Sequence, residues 1–120
     1  MTTREKPQIH LRIRLDGETA IGPGKADLLE GIRETGSIAG AGRRMNMSYK
    51  RAWLLVESMN RCFREPVVEA VRGGRARGGA TLTPLGEYVL AAYRRMNEET
   101  NRAIGGEIEA LRGMLADNGD

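Results

Sequence analysis

The sequence is poor in the residues that most often carry chemistry. It has one cysteine and one histidine among 120 residues. Cys62 therefore has no intramolecular disulfide partner, and with His10 it cannot supply the ligand set of a structural zinc site. Cys62 is read as a buried, inert side chain, and neither a metal nor a cofactor is expected. Aromatic residues make up 4% of the chain, so the core must rest mainly on Leu, Ile, Val, Met and Ala. No run of about 18 apolar residues occurs, and the opening MTTREKPQ has no apolar signal core. Neither a membrane partner nor secretion is supported, and a cytoplasmic protein is expected. With 40% hydrophobic and 29% charged residues, the chain is too apolar for disorder and too charged for a membrane protein. Its length fits one domain, residues 1–120.

What charge there is lies unevenly. Residues 1–42 carry six basic and six acidic side chains, 43–83 nine and three, and 84–120 four and seven. The segments thus hold net charges of 0, +6 and −3. A middle segment with the whole positive excess is the footprint expected of a face that binds a polyanion. A plain solvated basic surface is the alternative on charge alone, so the surrounding pattern has to decide.

Gln8 to Leu15 alternates Ile9, Leu11, Ile13 and Leu15 with polar residues, the period of a half-exposed strand, with Asp16-Gly17 as its turn. His10 then falls on the polar face. Ala26, Leu28, Leu29 and Ile32 recur at helical spacing between Gly24 and Thr35, and Gly36 stands where a left-handed cap belongs. Ser37 is an N-cap for a short helix with Ile38, Ala41 and Met45 on one side. Asn46 suits a tight turn, and Ser48 caps a further helix predicted over Tyr49–Arg64, which Pro66 ends. Two short helices joined in this way form a helix-turn-helix pattern. Gly40 and Gly42 inside the first each cost roughly 0.5–1 kcal/mol relative to Ala, a cost that makes sense if the helices cross closely there.

Val67, Val68 and Val71 then suggest a strand and Ala80-Thr81-Leu82 a returning one. Between them GGRARGG reads as a flexible basic hairpin tip, the form of a wing. Thr83 with Pro84 opens a last helix, whose apolar stripe from Leu85 to Leu115 outruns a small domain. Gly105-Gly106 could split it into two helices in line.

In a helix-turn-helix the first turns of the second helix reach base edges while the later turns pack on the domain. Ser48, Tyr49, Lys50 and Arg51 are hydrogen-bonding residues at that start, whereas Ala52 to Val56 is an apolar block read as core, Trp53 included. Lys50 and Arg51 can donate to guanine edges or phosphates, and Ser48 and Tyr49 to phosphates. Arg43 and Arg44 precede the turn and suit backbone contacts. Arg72, Arg75 and Arg77 on the wing can follow the duplex or enter a minor groove.

Patterns that suggest an enzyme fail. Gly22-Pro23-Gly24-Lys25 resembles the end of a phosphate loop but lacks Gly at Thr19 and Ser or Thr at Ala26. Gly40-Ala41-Gly42 has Met45 in place of the last glycine of a dinucleotide fingerprint and follows no strand. Glu98, Glu99, Glu107 and Glu109 lie on an exposed helix without a tuning Arg or His. No catalytic residue is assigned.

Gly36-Ser37-Ile38 followed by MSYKRAWLLVESMNRCFREPVVE, and then RGGRARGGATLTPLGEYVLAAYR, resembles the winged helix DNA-binding domain of the molybdate-responsive transcriptional regulator (ModE) family. The resemblance covers about residues 8–115, with Asn46 where Gly is common and Gly40 or Gly42 where Ala is common. It implies a dimeric winged helix with Ser48 to Arg51 at the start of the recognition helix. Full regulators of this family continue into an oxyanion-binding domain. Because the chain stops at Asp120, no small-molecule effector is expected.

The expected fold is thus mainly α with a small β-hairpin wing, a winged helix-turn-helix with residues 84–116 as a dimerisation helix. The expected partners are double-stranded DNA, held at a partly palindromic operator by Arg43, Arg44, Ser48, Tyr49, Lys50, Arg51, Arg72, Arg75 and Arg77, and a second copy of the chain. The competing readings are an RNA-binding module acting through the Arg/Gly-rich wing and an adaptor that pairs with a larger regulator.

Overall fold

Asp16 and Gly17 both take left-handed backbone angles, with φ of 51° and 87°, the pair that a two-residue type I′ turn needs. They fold β1 (Ile13–Leu15) antiparallel onto β2 (Glu18–Ile21), so that Leu15 faces Glu18. The computed structural model describes residues 6–71 and 79–116. The predicted strand from Gln8 is shorter than its alternation, because β2 has four residues to pair with and the register shifts between Ile13 and Arg14. The alternation of burial persists beyond the ladder: Ile9, Leu11 and Ile13 are half-buried while His10, Arg12 and Arg14 are exposed. Leu15, at the turn, is exposed as well.

Pro23 begins α1 (Pro23–Thr35), and Gly36 ends it at φ 76° with its N–H bonded to the Ile32 carbonyl. Ser37 Oγ then accepts from the Gly40 N–H at 2.8 Å and opens α2 (Ile38–Arg44). At Asn46 the backbone turns left-handed, φ 56°. Ser48 Oγ accepts from the Arg51 N–H at 3.1 Å to start α3 (Tyr49–Cys62). This helix stops two residues short of the predicted Arg64, as Phe63 is already extended. Cys62, its last residue, is half-buried rather than buried.

β3 (Val68–Val71) pairs antiparallel with β4 (Gly79–Leu82), Val68 opposite Leu82 and Val71 opposite Gly79. Arg72, Arg75 and Arg77, predicted for the wing tip, lie outside the described residues. The base of the hairpin is firmly docked, since the Ala80 N–H bonds the Gly36 carbonyl at 2.9 Å. Thr83 is buried. Its Oγ1 accepts from the Gly86 N–H at 3.0 Å and donates to the Pro66 carbonyl at 2.7 Å, which both caps α4 (Pro84–Arg112) and pins the hairpin to it. α4 is one helix of 29 residues that runs through Gly105-Gly106 without a break. At 1.5 Å per residue it is about 43 Å long.

The core lies among α1, α2, α3, the two hairpins and the first turns of α4, with Leu28, Leu29, Ile32, Met59, Val67, Leu90 and Tyr93 fully enclosed. Tyr93 Oη donates to the Leu11 carbonyl at 2.7 Å, which holds the N-terminal segment against α4. Burial pushes this phenol above its ordinary pKa. Arg94 bridges Glu30 at 2.6 Å and Asp27 at 3.3 Å, tying α4 to α1. Beyond Met96 the helix leaves the core, and Ile104, Leu111 and Leu115 are exposed. Among the described residues, no helix is long and apolar enough to cross a membrane.

Candidate nucleic-acid interface

The helix-turn-helix is compact because small residues stand at its crossings. A Cβ on Gly42 would lie 3.2 Å from the Ala52 Cβ and 3.3 Å from the Met47 carbonyl oxygen, which is the close approach of α2 to α3 that the sequence suggests. A tighter one lies between α1 and α2, where a Cβ on Gly31 would be 2.9 Å from that of Ala41. These contacts fix α3 rigidly on the domain and leave its first turn projecting.

Ser48, Tyr49, Lys50 and Arg51 are all exposed there. Arg43 and Arg44 are exposed in the last turn of α2, so six of the nine predicted side chains surround one helix start. Arg44 Nη1 already pairs with Glu34 Oε1 at 2.7 Å, whereas Arg43, Lys50 and Arg51 have no ion pair among the described residues. Among the described residues, no group of three or more His, Cys, Asp or Glu could hold a metal ion.

The structure corrects the reading of the apolar run after Arg51. Only Ala52, Val56 and Met59 are buried, at spacings of four and three that return to one face of the helix. Trp53 lies one step, about 100°, round the helix and is 41% exposed, and Leu54 is exposed beside it. Trp53 is therefore not a core residue. With Tyr49, 58% exposed, it lines a cleft of about 260 Å³ between α3 and the β3–β4 hairpin. The signal was present in the sequence, since counting the helical period from Ala52 turns Trp53 outward. Phe63, just past the end of α3, packs half-buried against the core.

Asn60 also lines this cleft. Its Oδ1 accepts from the N–H groups of Val67 at 2.8 Å and Val68 at 3.3 Å, and its Nδ2 donates to the Val68 carbonyl at 3.2 Å. The hairpin is in this way held in a set position beside the exposed face of α3.

Two helices joined by a tight turn, a docked antiparallel hairpin after them and a long helix behind define a winged helix fold. The DNA-binding domain of CbnR, solved in a complex with DNA, superposes on 72% of this chain with a TM-score of 0.57 at 21% identity, covering 94% of that domain. The homologues of the chain are ModE, MopA and MopB proteins, as the resemblance in the sequence implies. It is 37% identical over 102 residues to the molybdenum-pterin-binding protein MopA of Rhodobacter capsulatus, covering 84% of this chain and 38% of that protein. The molybdenum transport protein ModE of Azotobacter vinelandii is 36% identical over 117 residues, 87% of this chain and 43% of its own length. The DNA-binding transcriptional dual regulator ModE of Escherichia coli is 33% identical over 97 residues, 81% of this chain and 37% of its own. The chain thus spans less than half the length of these relatives. No protein-family model matches it.

Proposed function

We propose that this chain is a DNA-binding transcriptional regulator that places α3 in the major groove and acts as a homodimer on a partly palindromic operator. The observation that carries the reading is the division of α3 along its length: four exposed hydrogen-bonding side chains, Ser48 to Arg51, gather at its start, and Ala52, Val56 and Met59 after them fix the helix in the core. Such a helix offers donors to base edges without losing its own packing. Arg51 and Lys50 have the geometry and charge to donate to guanine O6 and N7 or to phosphate oxygens. The Ser48 oxygen accepts from the Arg51 N–H and keeps its own O–H to donate to a phosphate, as does Tyr49. Arg43 adds a backbone contact at the end of α2.

The exposed Trp53 and Leu54 extend this face with apolar surface suited to a thymine methyl group. The names of the homologues make promoters connected with molybdenum the first candidates. A second copy would pack along the exposed apolar residues of α4 beyond Met96.

Selection from a random duplex pool tests the reading. Two related half-sites about one helical turn apart should be enriched. Failure to enrich any duplex, or equal retention of structured RNA, would overturn it.

A further inference from the structure

The run Gly22-Pro23-Gly24-Lys25 fails as a nucleotide loop, yet the fold gives it cationic neighbours. A cleft of about 300 Å³ opens between the start of α1 and α3, lined by Arg12, Gly22, Lys25, Met47, Arg51 and Leu55 among others. Among the described residues that line it, the charged ones are three cations from three places in the chain and none is a carboxylate. Lys25 Nζ donates to Ser58 Oγ of α3 at 3.0 Å, which holds it toward that helix. Arg12 lies over the N-cap, since a Cβ on Gly22 would meet Arg12 Cγ at 3.6 Å and Nε at 3.8 Å. Neither Arg12 nor Arg51 is in an ion pair among the described residues. α1 has no acidic residue in its first turn, so the positive end of its dipole adds to the same sign. Like charges gathered from three segments of the chain concentrate a positive potential in the cleft. Arg51 belongs both to this cleft and to the exposed start of α3.

We propose that this cleft receives a backbone phosphate of the duplex that α3 reads, with Arg12 and Lys25 extending the interface beyond the helix-turn-helix and setting the register of α3 in the groove. The inference rests on the duplex-binding reading. A polymer phosphate is favoured over a free anion because the cleft is continuous, through Arg51, with the rest of that surface.

Two substitutions at one position supply the test. Gly22 is extended, with φ −159°, and its added Cβ would sit at ordinary contact distance. Gly22→Asp and Gly22→Asn both supply a good N-cap, and the two differ in one fixed negative charge beside Arg12. Affinity of the full chain for a duplex recovered by selection is measured by fluorescence anisotropy across a salt series, with thermal unfolding as the folding control. Gly22→Asp should bind at least tenfold more weakly than Gly22→Asn. Arg12→Gln with Lys25→Gln should keep base preference while flattening the slope of log K against log salt by about two. If the wild type binds no duplex, the duplex-binding reading itself fails. Should the wild type bind while Gly22→Asp equals Gly22→Asn and the double variant keeps its slope, this proposal alone is overturned. Micromolar binding of inorganic phosphate to the wild type, lost in Gly22→Asp, would overturn it in favour of a small-anion site.

Discussion

Asn60 Oδ1 accepts from the backbone N–H of Val67 at 2.8 Å, and one side-chain amide thereby joins α3 to the strand that leads into the wing. The same amide serves Val68 through both its N–H and its carbonyl. Asn60→Leu would leave these enclosed backbone groups unpaired, at roughly 1–3 kcal/mol for each group that water cannot reach. The variant should unfold at clearly lower denaturant concentration and bind duplex more weakly. Stability equal to that of the wild type would show that the burial of Val67 and Val68 holds the hairpin unaided.

Trp53 gives the opposite expectation. A fully buried aromatic replaced by Ala costs about 3–5 kcal/mol, but Trp53 is 41% exposed beside Tyr49. Trp53→Ala should stay folded and lose about 1 kcal/mol of stability or less, while duplex affinity falls. Tryptophan fluorescence of the free protein, with emission shifted to the red as for a wet indole, checks the placement independently. A blue-shifted emission and a collapsed melting temperature in Trp53→Ala would count against it.

The two side chains also mark what could be read in the sequence. Caps are local chemistry: Gly36, Ser37, Asn46, Ser48 and Thr83 sit where their side chains or backbone angles require them, and the order of helices was legible from them. β2 was not, because Glu18–Ile21 is too short to display a period. Trp53 and Leu54 look like core only while the apolar run is taken as a block; wound at 3.6 residues per turn, it turns both away from the face of Ala52, Val56 and Met59. The cleft formed by Arg12, Lys25 and Arg51 could not be read at all, since only the tertiary fold brings these positions together.

Arg51 and Arg43 should behave differently. Arg51 projects from the first turn of α3, and Arg51→Ala is expected to cost about 1–3 kcal/mol of specific binding and to relax base preference at one position of each half-site. Arg43 ends α2, where Arg43→Ala should weaken all duplexes alike and reduce the salt slope by about one. Parallel selection with both variants separates the two, and an unchanged base preference in Arg51→Ala would remove it from the reading surface.

Stability should also depend on acid through Glu30. The hydrogen bond from Arg94, followed by the charge of that guanidinium, holds the Glu30 carboxyl below its ordinary value of 4.5. A depressed folded-state pKa means that the contribution is present above 4.5 and fades as pH falls through the lowered value. The pair is partly exposed, so roughly 0.5 kcal/mol is expected. Urea midpoints should place Glu30→Gln below the wild type at pH 7, with the gap closing on acidification below 4.5. A gap independent of pH would show that the ion pair contributes nothing.

The distal half of α4 supplies the last prediction. Its stripe runs through Met96, Ile104, Ile108 and Leu111, and an open cleft of about 640 Å³ lies beside its beginning, lined by the apolar Leu11, Ile13, Ala92 and Met96 and by the charged Arg95, Glu98 and Glu99 among others. Ile104 is 38% and Leu111 64% exposed, so neither contributes much to the fold of one chain. A largely exposed apolar stripe of this kind suits helix pairing, in which apolar positions three and four apart meet those of a second helix. Ile104→Asp with Leu111→Asp should therefore leave the unfolding of the domain itself nearly unchanged and convert a sedimenting dimer into a monomer. Each monomer keeps its own α3, so half-site binding survives, while affinity for the paired site drops about a hundredfold or more as the second contact becomes a separate encounter. A wild-type chain that sediments as a monomer at the concentrations that saturate the paired site would exclude the homodimer.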